Sequence, residues 1–291
     1  MMKSIVLLLL LSLLSCNNQT LKNREKILKY PTRDYVTVGK IMDTVKLPYV
    51  IDVSYHQKRV VFIGCVHDVP PTHRQFTIIE KYFNELKPQV SFNEGGQISN
   101  SIHYSSTSEA IEKSGETGAL KYFSDQAGIP MINGDLDAKT EFALTLKKVP
   151  KDQLFLYYLM ERVVIPYHYG AYQHEDFETV FHRLIEKYFI KNGFPLSDKE
   201  KELPYFENLY VKETKKKFDI NDIDLEAFDY INDHCISCAV GRISKMTRDG
   251  VLLSKIDAAL NTYDRVLVTF GHGHALAIEP ALKEIVTKKR N

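Results

Sequence analysis

Two runs constrain what this chain can fold into more than anything else in it. Arg59-Val60-Val61-Phe62-Ile63-Gly64-Cys65-Val66-His67 and Arg265-Val266-Leu267-Val268-Thr269-Phe270-Gly271-His272-Gly273-His274 each begin with β-branched and apolar residues and end in Gly-x-x-His. An apolar run without alternation predicts a strand covered on both faces, as in a parallel sheet layered between helices. Ligands of such sheets gather outside the carboxyl ends of the strands. Two strands from opposite ends of the chain, each delivering a histidine there, read as two halves of one site.

The rest of the chain fits around them. Tyr49-Val50-Ile51-Asp52-Val53-Ser54-Tyr55 alternates like a strand and pairs with the first run across His56-Gln57-Lys58. Thr72-x-x-Gln75 has the form of a capping box opening a helix that carries Phe76, Ile79, Phe83 and Leu86 and stops at Pro88. A strand ending in Asn93-Glu94-Gly95-Gly96 follows, then a helix closed by Gly128, then a short strand ending in Gly134-Asp135. Strand, helix, strand, helix, strand predicts a parallel sheet with right-handed crossovers. Strand signals vanish over 136–244. There residues 154–165 are apolar all round, and Phe177, Val180, Phe181, Leu184, Ile185, Tyr188 and Phe189 form a helical stripe. Arg248-Asp249 opens a helix before the second long strand, and a last helix closes the chain. The fold class is therefore α/β: a mostly parallel central sheet flanked by helices, with a core of 49–135 and 245–291 and a helical insertion of 136–244 over the carboxyl strand ends.

The chain begins differently. Lys3 precedes an apolar stretch interrupted only by Ser12. Ten helical residues reach roughly 15 Å, half of the ~30 Å hydrocarbon core, which suits a signal peptide and not a span. Leu13-Leu14-Ser15-Cys16 resembles a bacterial lipobox, so 1–15 is expected to be cleaved and Cys16 lipidated. Residues 16–48 then read as a tether, and the acyl chains would hold the domain on a membrane of the bacterial cell envelope. Formal net charge is +1 over 291 residues, with 38 Lys+Arg against 37 Asp+Glu, so no global field draws nucleic acid. Cys65, Cys235 and Cys238 remain beyond Cys16. Cys235-x-x-Cys238 lacks the second pair that a zinc site needs, leaving small buried residues, a redox pair or a disulfide.

Four predicted strands thus finish on or near His67, Glu94, Asp135 and His274, each able to bind a metal or move a proton, with Gly64, Gly95, Gly271 and Gly273 beside them. Two imidazoles and a carboxylate suit a divalent Mn, Co, Fe or Zn ion that activates water. Without a metal, a histidine serves as general base while Glu94 orients the water, and the second histidine or Arg248 steadies the oxyanion. Asp135, Asp249 and His272 are accessory candidates. No Gly-x-Ser-x-Gly, P-loop or Gly-x-Gly-x-x-Gly occurs. Tyr167, His168, Tyr169 and His174 are the insertion's candidates for facing the cleft.

Gly64-Cys65-Val66-His67, Glu94 at the end of the next strand, Arg248-Asp249 ahead of the last strand, and Gly271-His272-Gly273-His274 after it resemble the TraB/GumN/Tiki superfamily, with its erythromycin-esterase-like and ChaN-like relatives. The resemblance covers 58–96 and 245–287, and His272 stands where a small residue is usual. It implies a site built from His67, Glu94, Arg248 and His274, with His67, Glu94 and His274 as metal ligands. It also implies a membrane-anchored hydrolase cleaving a small ester or peptide substrate. The alternative it implies is a haem- or metal-binding lipoprotein without catalysis.

Overall fold

The computed structural model describes residues 30–67, 69–172 and 174–288. The signal segment 1–15 and Cys16 lie outside them. Five strands form one sheet: β1 (Tyr49–Tyr55), β2 (Lys58–Cys65), β3 (Val90–Asn93), β4 (Met131–Asn133) and β5 (Arg265–Gly271), in the order β1-β2-β5-β3-β4. β1 runs antiparallel to β2, and every other pairing is parallel. The last strand of the chain therefore lies between two of the early ones. That is why both Gly-x-x-His runs, far apart in sequence, end side by side.

Both long runs are buried on both faces, as an unalternating apolar sequence requires. On one face Val61, Ile63, Cys65 and Leu267 pack under α2 (Arg74–Leu86) and α3 (Thr107–Ala127), through Phe76, Ile79, Phe83, Leu120 and Phe123. On the other, Val60, Phe62, Phe92, Val266, Val268 and Phe270 meet Leu252, Leu253 and Ile256 of one late helix and Ile278, Leu282 and Ile285 of the next. Each buried side chain of this size contributes about 1.5–3 kcal/mol. α2 does not start with the expected capping box. His73 is its N-cap, and the buried Gln75 instead brackets Val66, accepting from its N–H and donating to its carbonyl at 3.0 Å each. That fixes the backbone immediately before His67.

Between β4 and β5 the elements are helical: α4 (Ala138–Thr145), α5 (Lys151–Leu159) running through a π turn (Met160–Val164) into α6 (Ile165–His168), α7 (Phe177–Leu184) with a second π turn (Ile185–Ile190), α8 (Leu203–Thr214) and α9 (Ile236–Ala259). Phe142, Phe155, Phe181, Phe189, Phe194 and Phe206 build a separate aromatic core among them. α9 crosses the expected boundary at 244/245. Its Val240 belongs to the aromatic core and its Leu252 to the sheet's core, so Arg248 sits mid-helix where the two meet, rather than at a helix start.

The tether expectation needs correcting from Tyr30 onward. Ahead of β1, Tyr35–Met42 is a helix, α1, capped by Asp34 and packed through buried Tyr35 and Val38 onto Leu276 and Ala277 of the final helix, α10 (His272–Thr287). Arg33 N–H bonds Ala277 O at 2.7 Å, and its guanidinium reaches Glu279 at 3.4 Å. Lysine-rich composition concealed a docking helix anchored by Tyr35 and Val38. Cys235 and Cys238, at the start of α9, are joined by a disulfide.

Candidate active site

Register assembles the site. Cys65 lies opposite Gly271, Asn93 opposite Thr269, and Asn133 opposite Asn93, so β2, β5, β3 and β4 all finish at one edge. Glu94, one residue past β3, takes the centre. Its Oε2 accepts Gly271 N–H at 2.6 Å and its Oε1 accepts Arg248 Nη2 at 2.5 Å. Gly271 leaves open the space that the His67 and Glu94 side chains use. A Cβ there would stand 3.1 Å from His67 Nε2 and 3.2 Å from Glu94 Oε2, in the middle of the site. A Cβ on Gly64 would fall 2.8 Å from Ala275 Cβ, so the missing side chain lets α10 lie directly on β2.

The two histidines flank Glu94 and are held from behind. His67 Nε2 is 3.5 Å from Glu94 Oε2, while its Nδ1 is 2.6 Å from Glu116 Oε1. His274 Nε2 is 3.7 Å from Glu94 Oε1, while its Nδ1 is 2.6 Å from Asp249 Oδ1. The Tyr35 hydroxyl donates to Asp249 Oδ2 at 2.9 Å and lies 3.0 Å from His274 Nδ1. Arg248 closes the third side, with Nε and Nη2 on the two oxygens of Asp135 at 2.8 and 2.7 Å. Lys255 anchors that corner through the carbonyls of Asn133 and Asp135, 2.8 Å each.

Charge follows from these contacts. Glu116, then Glu94, push His67 up to about 10 against its partial burial, so it is an imidazolium at neutral pH. Burial alone would raise Glu94, but His67, His274 and Arg248 outweigh it and hold the carboxyl well below the ordinary range. Burial would likewise raise Asp135, yet Arg248 keeps it low. Burial would lower Arg248, but Asp135 and Glu94 hold it firmly charged. Burial lowers His272 and keeps it neutral. Burial and Asp249 hold the Tyr35 hydroxyl protonated.

A cavity of about 630 Å³ opens over this edge, and His67, Glu94, Asp135, Arg248, His272 and His274 all line it. Asp249 stands behind His274, fully buried. The seven candidates from the strand ends and the flanking helices therefore come together. Tyr35, Glu116, Arg162, Tyr230 and Lys245 line the cavity too, and sequence reasoning missed them. Glu116 had one available signal: Ser114-Gly115 interrupts α3, with Gly115 at φ +53, and the break turns the next residue toward His67. Tyr167, His168, Tyr169 and His174 are not among the lining residues. His168 Nδ1 lies 2.9 Å from Ile220 O, and Tyr167 donates to Glu175 O.

The donor set has the chemistry of a mixed nitrogen–oxygen metal site. Each imidazole has one nitrogen fixed by its own carboxylate and the other turned toward Glu94, the second-sphere pattern that orients metal-bound histidines. As they stand among the described residues, no three His, Cys, Asp or Glu close around one point. No family model matches the chain, and neither the curated proteins nor the solved structures contain a match.

Proposed function

We propose that the protein is a hydrolase that opens an ester or amide bond with activated water, of the TraB/GumN/Tiki kind. The single observation that carries this reading is the non-equivalence of two imidazoles facing one ionised carboxylate. His274, backed by Asp249 and Tyr35, has its Nε2 free of any protein hydrogen bond among the described residues, and so suits proton removal from water. Glu94, held rigid by Arg248 and Gly271 N–H, orients that water. His67, already charged and half open to the cavity, stabilises the developing oxyanion and returns a proton to the leaving group. Arg248 is committed to two carboxylates and acts by keeping Glu94 charged and in place. A divalent Mn, Co, Fe or Zn ion would be held by His67, Glu94 and His274 and would supply water acidification and carbonyl polarisation.

The helical segment 136–244 acts as a cover over the strand ends, contributing Arg162 and Tyr230 to the cavity wall. Lipidation at Cys16 places the domain on a bacterial envelope membrane. Among the described residues no helix is long and apolar enough to cross one. The alternative, haem or metal binding without turnover, draws on Tyr or His of that segment, and Tyr230 is the one that lines the cavity. The test is a panel of esters and peptides offered to protein purified without chelator, with elemental analysis alongside and His274→Ala as control. Turnover lost in the variant supports the assignment. Turnover unchanged in it, or a haem bound at one equivalent with no substrate cleaved, removes it.

A further inference from the structure

A second cavity, about 300 Å³, adjoins the first and has a different character. Tyr157, Tyr169, Phe228 and Tyr230 supply aromatic walls, Glu161, Glu226 and Asp229 supply carboxylates, and no Lys, Arg or His is among its lining residues. Two links join it to the catalytic cavity. Tyr230 lines both, and Glu161 bonds Lys245, which lines the first, at 2.5 Å.

The three carboxylates are not equivalent. Lys245 and Arg162 offset Glu161, although its Oε2 is buried, accepts no hydrogen bond and lies 3.6 Å from Arg162 Nε. Asp229 is bonded through Oδ1 to Ile231 N–H and Glu226 through Oε2 to Asn232 Nδ2, both neutral donors. Neither has a cationic partner within ion-pair distance among the described residues. The Tyr230 ring already takes the Lys245 ammonium at 5.1 Å, whereas Tyr157, Tyr169 and Phe228 carry no such contact. Tyr169 stands at the rim, 70% exposed, with its ring edge-on to His168 at 5.3 Å.

The wall is also pinned in place. The Cys235–Cys238 disulfide, the Arg242 guanidinium on the Tyr230 and Asn232 carbonyls, and Asn232 on Glu226 hold the turn that carries Glu226, Phe228, Asp229 and Tyr230. Aromatic faces beside Glu226 and Asp229, which have no ion-pair partner among the described residues, match an alkylated or primary ammonium group. It would be attracted by the ring quadrupoles and by charge, with its apolar substituents kept out of water.

We propose that this cavity is a cation subsite for the substrate of the neighbouring centre, so that the hydrolase acts on an ester or amide bearing an ammonium group beyond Tyr230. This rests on the hydrolase reading for the word substrate, and on the cavity alone for the cation. Tetramethylammonium is the probe, titrated calorimetrically into the full-length protein. It binds to wild type and to Glu94→Gln alike, and at least tenfold more weakly to the Glu226→Gln/Asp229→Asn double variant. Tyr169→Leu, at an exposed position where folding is not at risk, weakens it as well. An ammonium-bearing ester shows a KM at least tenfold below its neutral tert-butyl isostere, and the double variant removes that difference while kcat on the neutral ester stays put. No binding to wild type, or binding that ignores both the double variant and Tyr169→Leu, overturns the subsite. Probe binding with neither ester cleaved upholds the subsite and removes the hydrolase reading instead.

Discussion

The two Gly-x-x-His arms are alike on paper and unlike in space. His67 follows a strand into a loop, keeps half of its side chain in solvent and faces two carboxylates, so it holds an extra proton. His274 stands in the first turn of α10, nearly buried, with its Nδ1 fixed by a carboxylate that a tyrosine also engages. The comparison teaches that a motif sets where an imidazole is delivered, while its chemistry is decided by what stands behind it. Here Glu116 comes from the kink in α3, and Asp249 comes from the middle of α9.

The largest expected effect tests the centre that both arms share. Glu94→Gln removes the charge proposed to orient water and should lower kcat about 10³-fold or more. His274→Ala should come close to it, about 10²–10⁴-fold at every pH where the protein is folded. His67→Ala should cost about ten- to a hundredfold, because solvent and nearby cations partly replace a half-exposed imidazolium. Steady-state rates on one good ester check all three. Equal losses for the two histidines would break the distinction drawn here.

Arg248→Met probes what holds Glu94 in place. It strands two largely buried carboxylates, Glu94 and Asp135, and should cost about 3–5 kcal/mol in denaturant melts. Gly271→Ala is smaller and more local. Its methyl meets His67 Nε2 at 3.1 Å and Glu94 Oε2 at 3.2 Å, so about 1–3 kcal/mol of stability should go, and turnover with it. The backbone there, φ −54, suits alanine, which leaves crowding as the cause.

A pH series sharpens the comparison further. The native chain keeps the His67 proton up to about 10, whereas the unfolded chain loses it near 6.5. The stability this arm contributes is therefore complete below 6.5 and is lost as pH rises through about 10. Screening at a half-exposed side chain keeps the amount modest. The difference between wild type and His67→Gln in thermal melts should shrink across that window, and a difference flat with pH counts against a charged His67. Loading with a divalent ion should release the proton, a change that NMR of the imidazole reads directly.

The legibility of the site divides along the same line. Val60 to Ile63 and Val266 to Val268 announce buried strands because a strand covered on both faces has no polar face to alternate with. Their ends carry His67, Glu94 and His274 because polar residues at strand ends are local facts of sequence. That β5 lies between β2 and β3 is a long-range fact, and no local pattern encodes it. Glu116 and Tyr35 escaped for a related reason. Each acts through a side chain whose neighbour is distant in sequence, and a lone Glu or Tyr in a helix is far more often surface or packing. Gln75 was legible as a helix signal and turned out to brace Val66 instead, since the half-buried backbone N–H and carbonyl of Val66 take both ends of its amide.

Tyr35→Phe is the gentlest test, and it asks whether the α1 segment belongs to the His274 arm or merely lies against it. The ring stays packed against Tyr230 at 5.4 Å, and only the hydroxyl is lost. Asp249 keeps His274 on Oδ1 but loses its partner on Oδ2, a buried bond worth about 0.5–1.5 kcal/mol. If the hydroxyl helps fix Asp249 against His274, kcat should fall about three- to tenfold with KM unchanged, and the acid side of the pH–rate profile should move. If α1 is packing alone, the melting temperature drops and the profile stays where it was. The first outcome would make a residue of the α1 segment part of the proton relay behind His274.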